Sequence, residues 1–116
     1  MAIRYVRLSP REAYDKITDG LTGRFSSSEV LASHVVKNAD KSETIIGIFE
    51  KYSWRNSNRM TMTVLCSPVG KDRCEVFFVA GGASNGLLGI DWGAADNFES
   101  AIESSLDAYL CPEPNE

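Results

Sequence analysis

Apolar residues along this chain follow two periods. Around Ala13, Tyr14, Ile17 and Leu21 they recur every three or four positions, the spacing of an amphipathic helix. Just ahead stands Ser9-Pro10-Arg11-Glu12: an N-cap serine, a proline at the first helical position and a glutamate three residues after the cap, together a capping box. The pattern predicts a helix over residues 10–21, with Gly20 and Gly23 as stops. Phe98, Ala101, Ile102, Ser105, Leu106 and Tyr109 form a second stripe, which predicts a helix over residues 94–110 with Asp96 and Glu99 suited to its positive end.

Elsewhere the period is two. Residues 2–8 alternate weakly, Ile3, Tyr5 and Arg7 against Val6 and Leu8, and predict a short strand. Residues 26–37 fit either a helix capped by Ser26 and Glu29 or a strand; the β-branched pair Val35-Val36 favours the strand. Thr44–Trp54, Met60–Ser67 and Arg73–Ala80 read as three further strands. Residues 38–42, 56–58 and 68–72 supply turn-forming residue types between them. The last of the three is apolar on both faces from Val76 onward, as a strand inside a sheet would be. Residues 81–93 form a glycine-rich connection whose Leu87, Leu88, Ile90 and Trp92 are expected to fold back over the sheet. The order is β-α-β-β-β-β-α. It predicts a two-layer α+β fold, an antiparallel sheet of about five strands with two helices on one face. A single domain is expected over residues 1–110, with 111–116 as a frayed acidic tail.

Turn positions also predict registers. A three-residue loop at 56–58 sets Trp54 opposite Met60 and Glu50 opposite Val64. A five-residue loop at 68–72 sets Cys66 opposite Cys74. A loop at 38–42 sets His34 opposite Ile46 and Val30 opposite Glu50. Even-numbered residues from Val30 through Phe78 then share the helix-covered face, and a slip of one residue would exchange every assignment. Glu50 and His34 are the polar members of that face. A buried carboxylate costs several kcal/mol, roughly, unless paired, so Glu50 is the candidate anchor of a ligand pocket between sheet and helices, lined by Tyr52, Trp54, Met62 and His34. Cys66 facing Cys74 reads first as two small apolar groups in contact, and second as a strained redox-switchable disulfide.

Charge narrows the function classes. Twelve Lys and Arg stand against sixteen Asp and Glu, and residues 91–116 hold seven acids and no base. A net charge of −4 opposes nonspecific nucleic-acid binding. The acidic segment reads as a solvated helix face and tail, or as a contact surface for a basic partner. No apolar run resembles a signal peptide or membrane span, so a cytoplasmic protein with no membrane partner is expected. Cys66, Cys74 and Cys111 are odd in number, lack Cys-x-x-Cys spacing and read as reduced thiols.

Catalytic and cofactor signals are sparse. With one histidine and no paired cysteines, no metal and no cofactor are expected. No Gly-x-Ser-x-Gly elbow precedes a helix. The Gly81–Gly89 loop lacks the Lys-Ser/Thr end of a phosphate-binding loop, and Asp91 and Asp96 would repel phosphate. Arg55 and Arg59 with Trp54 make a small basic-aromatic corner at a hairpin end.

Phe49-Glu50-Lys51-Tyr52, the Asn56-Ser57-Asn58-Arg59 turn, and Gly81-Gly82 followed by Leu88-x-x-Asp91-Trp92-Gly93-Ala94 resemble a family of short, uncharacterised bacterial proteins, a domain of unknown function. The resemblance spans most of the chain. It implies a bacterial cytosolic protein, transfers no catalytic residue, and directs attention to Glu50 and to the Asp91-Trp92-Gly93 loop.

Two functional readings result. In the first, the chain is a small noncatalytic binding or interaction module that homodimerises through an exposed edge strand. In the second, it binds a small molecule, as sensor or enzyme, through Glu50.

Overall fold

A computed structural model describes residues 2–23, 28–53, 58–83 and 92–114 of the 116-residue chain. The elements are β1 (Ala2–Val6), α1 (Pro10–Thr22), β2 (Ser28–Lys37), β3 (Glu43–Ser53), β4 (Asn58–Pro68), β5 (Cys74–Ala83) and α2 (Trp92–Leu106), which ends in a 3₁₀ turn at Asp107–Tyr109. All five strands form one antiparallel sheet in the order β1-β5-β4-β3-β2, not closed into a barrel. This is the expected β-α-β-β-β-β-α arrangement.

Helix α1 begins where its cap dictates. The Glu12 amide donates to Ser9 Oγ at 3.1 Å, and the Ser9 amide donates to Glu12 Oε1 at 3.2 Å. Two otherwise orphaned donors are thereby satisfied. Ala13, Tyr14, Ile17 and Leu21 turn inward to meet Phe98, Ile102 and Leu106 of α2 and the side chains of one sheet face. The helices approach closely at Gly20, where a Cβ would lie 2.0 Å from Ser105 Oγ.

The covered sheet face consists of Ile45 and Phe49 from β3, Met60, Met62, Val64 and Cys66 from β4, and Cys74, Val76 and Phe78 from β5. Strands β4 and β5 therefore present the expected even-numbered residues, and β3 presents odd ones. The cause is a single loop. Ser53 pairs with Asn58, which leaves four intervening residues where three were expected, so Phe49 faces Met62 and Glu50 faces Thr61. An odd change in loop length reverses the faces of everything that precedes it. The β2–β3 register was anticipated correctly, with His34 opposite Ile46, so β2 reversed together with β3. A bulge between Val30 and Ala32 then shifts the far end of β2, setting Val30 opposite Phe49 and Glu29 opposite Glu50.

Core chemistry agrees with the observed register. It buries Phe49 and Ile45, at ~1.5–3 kcal/mol for each such side chain, and leaves the Glu50 carboxylate near water. Between them Gly47 lies beneath Tyr14, whose ring also packs on Phe49 with centroids 6.1 Å apart. The β4–β5 register moved by two residues and kept its parity. Cys66 faces Val76 and Cys74 faces Pro68, so the two thiols are diagonal neighbours and both are free.

Candidate functional site

Among the described residues, both helices lie on one side of the sheet and nothing packs on the other. The pairing aligns that open face in rows across the strands. His34, Ile46, Leu65, Phe77 and Ile3 make one row; Ala32, Ile48, Thr63 and Val79 make the next. These nine positions carry no carboxylate, lysine or arginine and form an apolar band. Beyond one long side come Glu29, Glu50, Thr61 and Gly81, then Tyr52 and Arg59; beyond the other lie Glu75 and Tyr5.

Glu50 sits at a small polar concavity of about 360 Å³ on this open face, lined with Glu29, Tyr52 and Arg59. Arg59 Nη1 lies 3.6 Å from Glu50 Oε1, with the arginine side chain 70% exposed. Such an ion pair contributes little to stability, ~0–1 kcal/mol. Two carboxylates directly opposite on neighbouring strands repel each other. The site is therefore suited to a group that donates hydrogen bonds or carries positive charge. Among the described residues its lining includes no serine, cysteine or lysine nucleophile.

The expected pocket is thus corrected in place. Glu50 and Tyr52 are together, but on the side of the sheet away from the helices. Met62 is fully buried on the covered side, opposite Phe49, and cannot share a cavity with them. His34 is exposed on the open face opposite Ile46, two rows from Glu50. Trp54 and Asp91 lie outside the described residues. Trp92 and Gly93, expected in a loop, open α2. Glu29 was not anticipated as a neighbour of Glu50, because only the bulge brings it opposite. Arg59 was legible as part of a basic corner, and its ion pair with Glu50 was not.

The other end of the open face has its own cluster. Tyr5 Oη donates to Glu75 Oε2 at 3.2 Å and lies 3.4 Å from Glu113 Oε1. Partial burial, then the Glu75 hydrogen bond, holds the phenol above its ordinary range. A second concavity, of about 600 Å³, opens where the start of α1 meets the β2–β3 and β4–β5 turns. Arg11 Nη2 reaches Glu43 Oε2 there at 3.1 Å, and that hydrogen bond holds the Glu43 carboxyl below its usual range.

The two edges of the sheet differ. Along β1, Arg7 donates to the Tyr109 carbonyl and Cys111 to the Tyr5 carbonyl, each at 2.9 Å, and Leu110 bridges Val6. The segment expected as a frayed tail thus starts by closing an edge. Strand β2 has no such cover among the described residues. Val30, Leu31 and Val36 are 42%, 58% and 45% exposed.

No group of three or more His, Cys, Asp or Glu that could hold a metal occurs among the described residues. No described helix is long and apolar enough to cross a membrane. The model of a family of unknown function, DUF6054, matches residues 1–110. Comparison with curated proteins and with solved structures gave no match.

Proposed function

The chain belongs to this family of unknown function, and from that premise we propose that it is a noncatalytic interaction module that pairs with a second copy of itself through β2. The carrying observation is the unequal treatment of the edges: residues 109–111 close β1, while among the described residues β2 pairs with β3 alone and is exposed from Glu29 to His34 and at Val36 and Lys37. An uncovered strand presents a row of N–H and C=O groups ready for another strand. Its interior from Val30 to Val36 holds no proline and no carboxylate, lysine or arginine. The regular stretch after the bulge, Ala32–Lys37, is long enough to pair. Antiparallel pairing of β2 with its copy generates a two-fold axis and one continuous sheet across the dimer. We read the setting as a bacterial cytosol, in line with the three free thiols.

Sedimentation of the full chain from micromolar to millimolar concentration tests this. A dimer is expected, together with concentration-dependent amide protection confined to Ala32–Val36. Ala32→Lys and Val36→Lys, both on the exposed edge, should return the monomer with an unchanged melting curve. A wild-type chain that stays monomeric throughout, or a dimer that ignores both lysines, overturns the proposal.

A second reading, small-molecule binding, is favoured by the concavity around Glu50. It requires that Glu50→Gln abolish uptake of a cationic ligand while leaving the oligomeric state alone.

A further inference from the structure

We propose that the open sheet face is a docking surface for a basic amphipathic helix of a partner protein. This goes beyond the edge pairing and uses the face of the sheet rather than the backbone of its free edge. The apolar band runs across five strands, about 19 Å at roughly 4.8 Å per strand spacing. Its two rows are about 6.7 Å apart, which with their flanks matches the roughly 10–12 Å width of a helix. A helix of about 13 residues covers that length, at a rise of about 1.5 Å per residue. A single apolar stripe on the partner would meet Ile46, Ile48, Leu65, Phe77 and Val79, which the fold leaves half-buried.

Charge selects among occupants. The charged strand positions of this face are Glu29, Glu50 and Glu75 against Arg59 alone. Glu29 and Glu50 flank one long side of the band near β2, and Glu75 flanks the other near β1. A second copy seated face to face would set the same three carboxylates against these, and nucleic acid or an anionic lipid surface would be repelled. A helix whose apolar stripe is bordered on both sides by lysine or arginine answers both flanks at once.

The test titrates the full chain with three synthetic peptides of about 14 residues. One carries a leucine stripe bordered by lysine, one the same stripe bordered by glutamate, and one the lysines with serine in place of leucine. Backbone and methyl NMR shifts report the site. Only the first peptide should bind, shifting Ile46, Ile48, Phe77 and Val79, and more weakly as salt rises. Ile48→Thr and Val79→Thr keep β-branching and should each weaken binding roughly tenfold. Glu29→Gln or Glu75→Gln should weaken it roughly threefold. Equal binding of the glutamate peptide, shifts confined to β2 or to the helices, or no binding of the lysine peptide overturns the proposal. So does loss of a homodimer on Ile48→Thr, which would make a second copy the occupant. Val36→Lys changes none of the nine band positions, whereas Ala32→Lys sets a cation inside the band, so docking measured on Val36→Lys separates failure of the edge pairing from failure of this docking.

Discussion

The Tyr14 hydroxyl occupies the place where a Cβ on Gly47 would have to stand: the ideal Cβ position is 2.4 Å from Tyr14 Oη and 2.5 Å from Cε1. A strand glycine thereby makes room for a helix tyrosine, and the pair holds β3 against α1. Gly47→Ala forces the ring outward, and overpacking of this kind costs ~1–3 kcal/mol. A correspondingly lower denaturation midpoint is expected in urea. Tyr14 Oη is buried with no hydrogen-bond partner, so Tyr14→Phe should leave stability unchanged or raise it by up to ~1 kcal/mol. A large loss in Tyr14→Phe would show that the hydroxyl has an unrecognised partner.

Gly20 and Ser105 are coupled across the two helices. A Gly→Ala change inside a helix ordinarily stabilises by ~1 kcal/mol. Here the new methyl would stand 2.0 Å from Ser105 Oγ, whose hydroxyl donates to the Ala101 carbonyl at 2.8 Å. Gly20→Ala alone should therefore gain nothing or destabilise. The double variant with Ser105→Ala should recover ~1 kcal/mol, measured as the interaction energy of a thermal double-mutant cycle. Simple additivity would refute the coupling.

The pH dependence of stability has two limbs with opposite signs. Arg11 hydrogen-bonds Glu43, and Ser42 hydrogen-bonds Asp40, so both carboxyls titrate below their ordinary range. Their contribution is present above an unfolded carboxyl value of about 4 and is lost as pH falls through the folded values. Tyr5 is held above the ordinary phenol range. Its contribution is present below pH of about 10 and is lost as pH rises through the folded value. Melting temperature against pH should show a shallower acid limb in Glu43→Gln and a flatter alkaline limb in Tyr5→Phe.

Thiol reactivity should split one against two. A hydrogen bond to Cys74, then burial, pushes the Cys66 thiol up, away from the reactive thiolate form. Cys74 is equally buried, whereas Cys111 is half-buried at the surface. A thiol reagent should label Cys111 promptly in the native chain and the other two only as fast as the chain unfolds. Two thiols labelled promptly without denaturant would contradict this packing.

Short-range information sufficed for the elements and their order. Ser9 and Glu12 announce the start of α1, the stripes through Ile17 and Ile102 announce both buried helix faces, and Val35-Val36 decide a strand over a helix. Each of these signals acts within a turn or two of chain, where capping, side-chain period and β-branching are local energies. The facing of β2 and β3 was not local. It turned on whether β3 and β4 are joined by three residues or by four, and that one residue moved Glu50 and Tyr52 from the expected core to the open face and Phe49 the other way. The bulge at Leu31 then brought Glu29 beside Glu50, and the return of residues 109–111 closed one sheet edge and left the other bare. Those outcomes belong to the tertiary structure because they are decided by competition between burying Phe49 beneath Tyr14 and burying a carboxylate, a comparison of long-range contacts that no single stretch of chain contains.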